Sequence, residues 1–296
     1  MNPLRCSLGI MAHNEEANIG RLLDRIRLSR LDRVEVVEII VVSSGSTDRT
    51  EAIVSEAAAV DPRIRLISQP VREGKASAMN LFIGDAQCDI LVLCSADLLP
   101  AETAIELLVE PFADPQVGLT ASRPVPVNDQ ATFLGYAAHL LWGLHHQINL
   151  IAFKGGELIA FRKIFQRVPA YTAVDEASVE PLIRGQGYDL CYVAGAVVYN
   201  KGPETVEDFL KQRRRIFAGH LEMQERLGYT VSTMSGMTLA GVLLRTLDWR
   251  PKQLIWTCGV VALEVYGRLL GRRDFKANRL HTVWDIASTT KELQTL

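Results

Sequence analysis

Short apolar runs of strand length alternate with stretches in which apolar side chains recur every three or four residues, and this alternation lays out most of the chain. Residues 6–11 read as a first strand, followed by polar positions 12–16 and then Ile19, Leu22, Leu23 and Ile26 at helical spacing. The unit recurs with a β-branched run at 36–42, a loop rich in helix-capping residues at 43–48 and a helical pattern over 50–60. Residues 64–68, the loop Arg72-Glu73-Gly74-Lys75 and a helix over 76–86 repeat it again. The fourth strand, 89–97, is a nearly unbroken apolar run that delivers Asp97 at its carboxyl end, as suits a strand covered on both faces. Successive β-loop-α units imply right-handed crossovers and an α/β fold with a mostly parallel, Rossmann-like sheet and helices on both faces. Their loops then open on one edge, where such sheets bind ligands.

The regular alternation continues with a helix over 100–110 and a strand at 117–121, and breaks at Arg123-Pro124-Val125-Pro126. A long helical stretch over 133–153 carries His139, His145 and His146, but no H-E-x-x-H pattern or acid at ligand spacing accompanies them, so they are assigned to a helix surface or interface. Gly155-Gly156 precede a short apolar strand, which reads either as a turn or as backbone passing close to a ligand. Asp175-Glu176 stand before Val179, Leu182 and Ile183, where they serve a helix's first turn or chemistry. Pro203-Glu204-Thr205 opens a helix that carries Gln212-Arg213-Arg214-Arg215-Ile216, and consecutive arginines cannot share one helical face.

Composition narrows the picture. The 296 residues carry a net charge of −2 and an isoelectric point near 6.3, which gives no bulk attraction for nucleic acid. Five scattered cysteines, odd in number and without C-x-x-C spacing, predict reduced thiols and a cytoplasmic location, and argue against a zinc site. The amino-terminal segment lacks the features of a secretory signal. Mean hydropathy is +0.10, and the apolar excess gathers in a carboxyl-terminal helical region over 226–296. Segments 233–245 and 253–271 are each shorter than the roughly 20 residues of a spanning helix. Trp249, Trp256 and Tyr266, with Arg245, Arg250, Lys252, Arg268, Arg272, Arg273 and Lys276, predict peripheral contact with the membrane's cytoplasmic face through residues 233–276. A helical hairpin packed on the rest of the chain or on a second subunit, making a homo-oligomer, is the competing expectation.

The common loop edge collects Asn14, Glu15, Ser44, Asp48, Lys75 and Asp97, a mixture suited to a nucleotide and its phosphates. Asp97 offers a hard oxygen donor for a divalent cation, or alternatively caps the helix that follows. Gly74-Lys75 does not close a Walker A loop, because Gln69 stands where its first glycine is required, and no G-x-G-x-x-G follows the first strand.

The succession Ala-His-Asn-Glu-Glu at 12–16, Val-Ser-Ser-Gly-Ser-Thr-Asp-Arg-Thr at 42–50, Gly-Lys-Ala-Ser-Ala-Met-Asn at 74–80 and Ser-Ala-Asp at 95–97 resembles the family 2 glycosyltransferases of GT-A fold. The resemblance runs from about residue 6 to about residue 221. It implies a GT-A domain over 1–225, with a nucleotide-sugar half over 1–122 and an acceptor half over 123–225. It further implies inverting transfer from a nucleotide-diphosphate sugar to a hydroxyl acceptor, with Mg2+ or Mn2+ at Asp97. By the same resemblance, Ala12, His13, Asn14, Glu15, Ser44, Asp48, Lys75, Ser95, Ala96, Asp97, Gly156, Gln212 and Arg215 bind the donor. An acid pair ahead of Gly187-Tyr188 implies Glu176 as the general base, with Asp175 as the alternative. Two departures stand out. Ser43 and Ser44 replace aspartates that face the nucleobase in many relatives, and Ser95 replaces the first acid of D-x-D, leaving Asp97 as that motif's only carboxylate. A nucleotide-binding module without turnover and a sugar nucleotidyltransferase are the other classes compatible with this edge. A lipid-linked or cell-envelope acceptor follows only from the apolar tail.

Overall fold

The structure is a computed structural model that describes residues 2–169, 176–229, 236–277 and 279. Its core is one eight-stranded sheet with strand order β3-β2-β1-β4-β7-β6-β8-β5. β1 (Leu4–Ala12), β2 (Val34–Ser44), β3 (Ile64–Gln69) and β4 (Ile90–Ser95) are parallel neighbours. β7 (Ile159–Arg162) runs antiparallel between β4 and β6 (Val117–Pro126), which itself pairs in parallel with β8 (Asp189–Asn200). The two-residue β5 (Leu99–Pro100) closes the far edge against β8.

Side chains on successive strand positions go to opposite faces, and here both faces are covered. Leu8, Ile10, Ile39, Val41, Val92 and Cys94 belong to one buried cluster with the inward faces of α1 (Ile19–Arg27), α2 (Thr50–Val60) and α4 (Ala104–Val109). Met11, Ile40, Val42, Leu91 and Leu93 belong to the other, with α3 (Lys75–Asp85) and α6 (Val179–Arg184). This explains why the sheet's central strands read as continuous apolar runs. Gly9 leaves room for Phe82 of α3, whose ring would lie 2.5 Å from a Cβ at that position.

Three differences from the sequence reading concern boundaries. β4 ends at Ser95, so Asp97 sits in the turn beyond it, closed by a 3.2 Å bond from Leu98 N to the Ser95 carbonyl. α4 starts only at Ala104, with Thr103 before it, which removes Asp97 as a helix cap. α5 (Phe133–Asn149) stops short of residue 153.

The carboxyl-terminal helices form a further layer. α7 (Val206–Leu227) is N-capped by the Thr205 hydroxyl, which accepts from Asp208 N, and it packs along α9 (Pro251–Lys276). Gly267 and Gly271 of α9 allow the approach: an added Cβ would lie 2.7 Å from Arg213 Cβ and 2.5 Å from the Arg214 carbonyl oxygen, respectively. The buried Asp274 carboxylate takes a two-pronged ion pair from Arg214. α9 has 26 residues and by length and composition is long enough to cross a membrane, unlike the shorter segment expected. Its inner face packs on α7 and α5. Its outer face leaves Ile255 71% and Leu269 60% exposed. α8 (Gly236–Thr246) packs on α5 through Val242, against Leu144 and Ile148.

Candidate active site

The loops at the carboxyl ends of β1, β2 and β4 open into a cleft of about 810 Å3, whose other wall comes from the 153–157 segment, the turn at Glu176 and α7. Ala12, His13, Glu15, Ser44, Lys75, Ser95, Ala96, Asp97, Gly156, Glu176, Gln212 and Arg215 all line it. Asp97 and Glu176, far apart in the chain, therefore share one hollow. Asp175 lies outside the described residues.

Asn14 and Asp48 are placed beside this lining, where they shape the loops. Asn14 adopts φ +53°, a left-handed conformation asparagine tolerates, and its side-chain oxygen accepts from Thr47 N at 2.8 Å. Asp48 accepts from Thr50 N at 3.0 Å and from Glu16 N at 3.1 Å, and these bonds hold its carboxyl below the usual range against the opposing effect of burial. Gly45, at φ +61°, brings the same loop against Arg72, whose amide nitrogen would be 2.5 Å from a Cβ there. His13 Nδ1 donates to the Ser44 carbonyl at 2.7 Å, which fixes the proton on that nitrogen because a carbonyl only accepts. Glu15 is buried, its backbone N–H donating to Thr50 Oγ1 at 2.8 Å.

The charged centre is more connected than the motifs alone suggest. Lys75, at the start of α3, donates to Ser95 Oγ at 2.6 Å and forms an ion pair with Glu176. Ser95 thus accepts from a cation of the chain itself. Sequence reasoning missed Glu157. β4–β7 pairing aligns Leu93 with Ile159 and so carries Glu157 to the end of β4, beside the turn that bears Asp97. Burial first, then the Asp97 charge, push the Glu157 carboxyl up to about 7, opposed by the 2.7 Å bond it accepts from Asn200. Among the described residues, no group of three or more histidine, cysteine, aspartate or glutamate side chains is arranged to hold a metal.

Also missed was a basic end of the cleft, where Lys154, Arg213 and His220 join the lining. All three consecutive arginines touch the cleft, and two also hold acids of α9: Arg214 pairs with Asp274 and Arg213 approaches Glu264 at 3.9 Å. His146 and His139 are occupied elsewhere, with Tyr192 and with the Asn128 carbonyl. His145 is buried and lines the cleft, and desolvation holds its imidazole well below the usual range.

Comparison with known proteins places this geometry. Residues 7–183 match glycosyl transferase family 2. The probable glycosyltransferase YdaM of Bacillus subtilis is 24% identical over 232 residues, covering 73% of this chain and 55% of YdaM. Glucosyl-3-phosphoglycerate synthase of Mycobacterium tuberculosis is 38% identical over 130 residues, 42% of this chain and 40% of that enzyme. The chain thus spans about half the length of these curated relatives. The mannosyltransferase PcManGT from Pyrobaculum calidifontis, solved with GDP-Man and Mn2+, superposes with a TM-score of 0.65 at 19% identity, covering 94% of this chain and 88% of that one, and the shared fold is GT-A. Because the matched segment contains the strands and loops that build most of the cleft, the chain belongs to glycosyl transferase family 2.

Proposed function

We propose that the protein is an inverting glycosyltransferase that moves a sugar from a nucleotide-diphosphate sugar to a hydroxyl acceptor. The observation that carries this reading is the meeting of Lys75, Asp97 and Glu176 in one cleft at the carboxyl ends of β1, β2 and β4. The donor's nucleotide half occupies the side built by residues 1–122 and the acceptor the side built by 123–225. Asp97 is the residue that would hold Mg2+ or Mn2+. Asp97 supplies a hard oxygen donor, and Glu157 is crowded by the Asp97 charge, a situation that a bound cation relieves. Such a cation would supply positive charge to set against that of the diphosphate.

The chain's own groups do the rest. Lys75 orients Glu176 through their ion pair, and Glu176 takes the acceptor proton as the anomeric carbon becomes electron-poor. Arg215 adds positive charge near the leaving group, and Gln212 offers it an amide donor. Attack on the face opposite the leaving diphosphate inverts the anomeric centre. We assign the protein to the cytoplasm, with the outer face of α9 on the membrane surface and a lipid-linked or envelope acceptor.

The decisive measurement is release of nucleoside diphosphate from nucleotide sugars under Mg2+ or Mn2+ titration. Asp97→Ala is expected to lower turnover by about 10²–10³ and to abolish its cation dependence. Equal, cation-independent turnover in both proteins defeats the assignment, and release of pyrophosphate instead makes the chain a nucleotidyltransferase.

A further inference from the structure

We propose that Lys154, Arg213 and His220 form a pocket for a phosphate group carried by the acceptor, an inference that rests on the transferase reading above. Lys154 is fixed by its surroundings. Its backbone N–H donates to Asn149 Oδ1 at 2.9 Å, and the Asn149 amide also donates to the Gly155 carbonyl at 3.1 Å, clamping the turn after α5. Arg213 and His220 are two turns apart on α7, so they share its face toward the cleft.

These groups are short of partners. Arg213 Nε and His220 Nδ1 are buried without a hydrogen bond, and the Lys154 ammonium makes no hydrogen bond or ion pair among the described residues. The nearby carboxylate, Glu264, is shared between Arg268 at 2.9 Å and Arg213 at 3.9 Å. Burial first, then Arg213, lower Lys154 to about 7; burial first, then Lys154, lower His220 to about 3. Buried donors and surplus positive charge are costly unless something answers them. Three converging donors on lysine, arginine and histidine suit a many-oxygened anion such as phosphate.

The donor's own diphosphate belongs to the other end. Arg213, Glu264, Arg268 and Glu157 are the groups that act on Lys154, whereas Glu157 is acted on by Asp97, Glu176 and Lys75. Glu157 stands between an end that takes the donor with its cation and an end that takes an anion.

The test uses the full chain, with inorganic phosphate and glycerol phosphate as probes, titrated by calorimetry with and without saturating nucleoside diphosphate and Mn2+. Both probes are expected to bind equally well in either state. Lys154→Met and His220→Gln are each expected to weaken them by about tenfold or more while nucleotide affinity stays unchanged. Lys154→Met should also melt higher in phosphate-free buffer, because it removes a desolvated cation. No binding, displacement by nucleotide, or acceptance of inorganic phosphate with exclusion of the ester overturns the inference. Probe binding with this mutational pattern in a protein that binds no nucleotide upholds the anion pocket and overturns the donor reading instead.

Discussion

Glu157 shows what a single side chain reports about the cleft. The folded protein holds its proton more tightly than the unfolded chain does, so the protonated carboxyl's contribution to stability is fully present below about pH 4.5 and is lost as pH rises through about 7. Glu157→Gln should therefore melt several degrees above wild type at pH 8 and indistinguishably from it at pH 4, as read by thermal unfolding across pH. Glu176→Gln keeps the shape of its side chain but cannot take a proton, and its turnover should fall by about 10²–10⁴ with little change in donor affinity. Near-native turnover in that variant would move the base elsewhere. Asp97, Lys75 and Glu176 were legible in the sequence because each belongs to a local pattern: a strand end, a glycine-lysine turn, an acid pair before a helix. Glu157 and Lys154 were not. Their proximity to the charged centre is created by β4–β7 pairing and by the turn after α5, which no local spacing announces.

The same contrast governs the elements. β1 to β4 and their helices follow from apolar runs and helical spacing because both sheet faces are buried. β8 escaped the pattern because most of its length is only half-buried, and Asp189, Tyr192 and Asn200 interrupt any alternation. α9 reads short in sequence because its apolar run, 253–271, is bounded by Lys252 and Arg272, with Glu264 and Arg268 as the charges inside it. In the structure the two pair with each other at 2.9 Å, one helical turn apart, and the helix continues through them. Its contact with α7 gives a paired prediction. Gly143→Ala, on an exposed part of α5 with nothing near the new methyl, should stabilise by up to about 1 kcal/mol through helix propensity. Gly271→Ala makes the same chemical change against the Arg214 carbonyl and should cost about 1–3 kcal/mol, both read from denaturant midpoints.

At the scale of the whole molecule, α9 joins the catalytic body to an apolar outer face that carries Ile255, Val265, Tyr266 and Leu269, with Lys252 at one end and Arg272, Arg273 and Lys276 at the other. Cations flanking an exposed apolar stripe match an anionic lipid surface. The protein should float with vesicles containing anionic lipid and less well with neutral ones or in high salt. Ile255→Asp with Leu269→Asp should abolish flotation and leave donor turnover unchanged. Concentration-dependent dimerisation lost in the same double variant, without flotation, would assign the face to a second copy.

The allocation of alternate strand residues to two separate interiors has a consequence for how such a protein diversifies. Inserting one residue within β1, β2 or β4 would exchange the occupants of both interiors beyond it unless a bulge absorbed the extra residue, as the register shift in β2 opposite Cys6 and Ser7 does. The turns beyond those strands carry no such constraint. Letters such as Ser46 and Ala96, which follow β2 and β4, are therefore free to be rewritten, and a new specificity can arise on an old frame without passing through an unfolded ancestor.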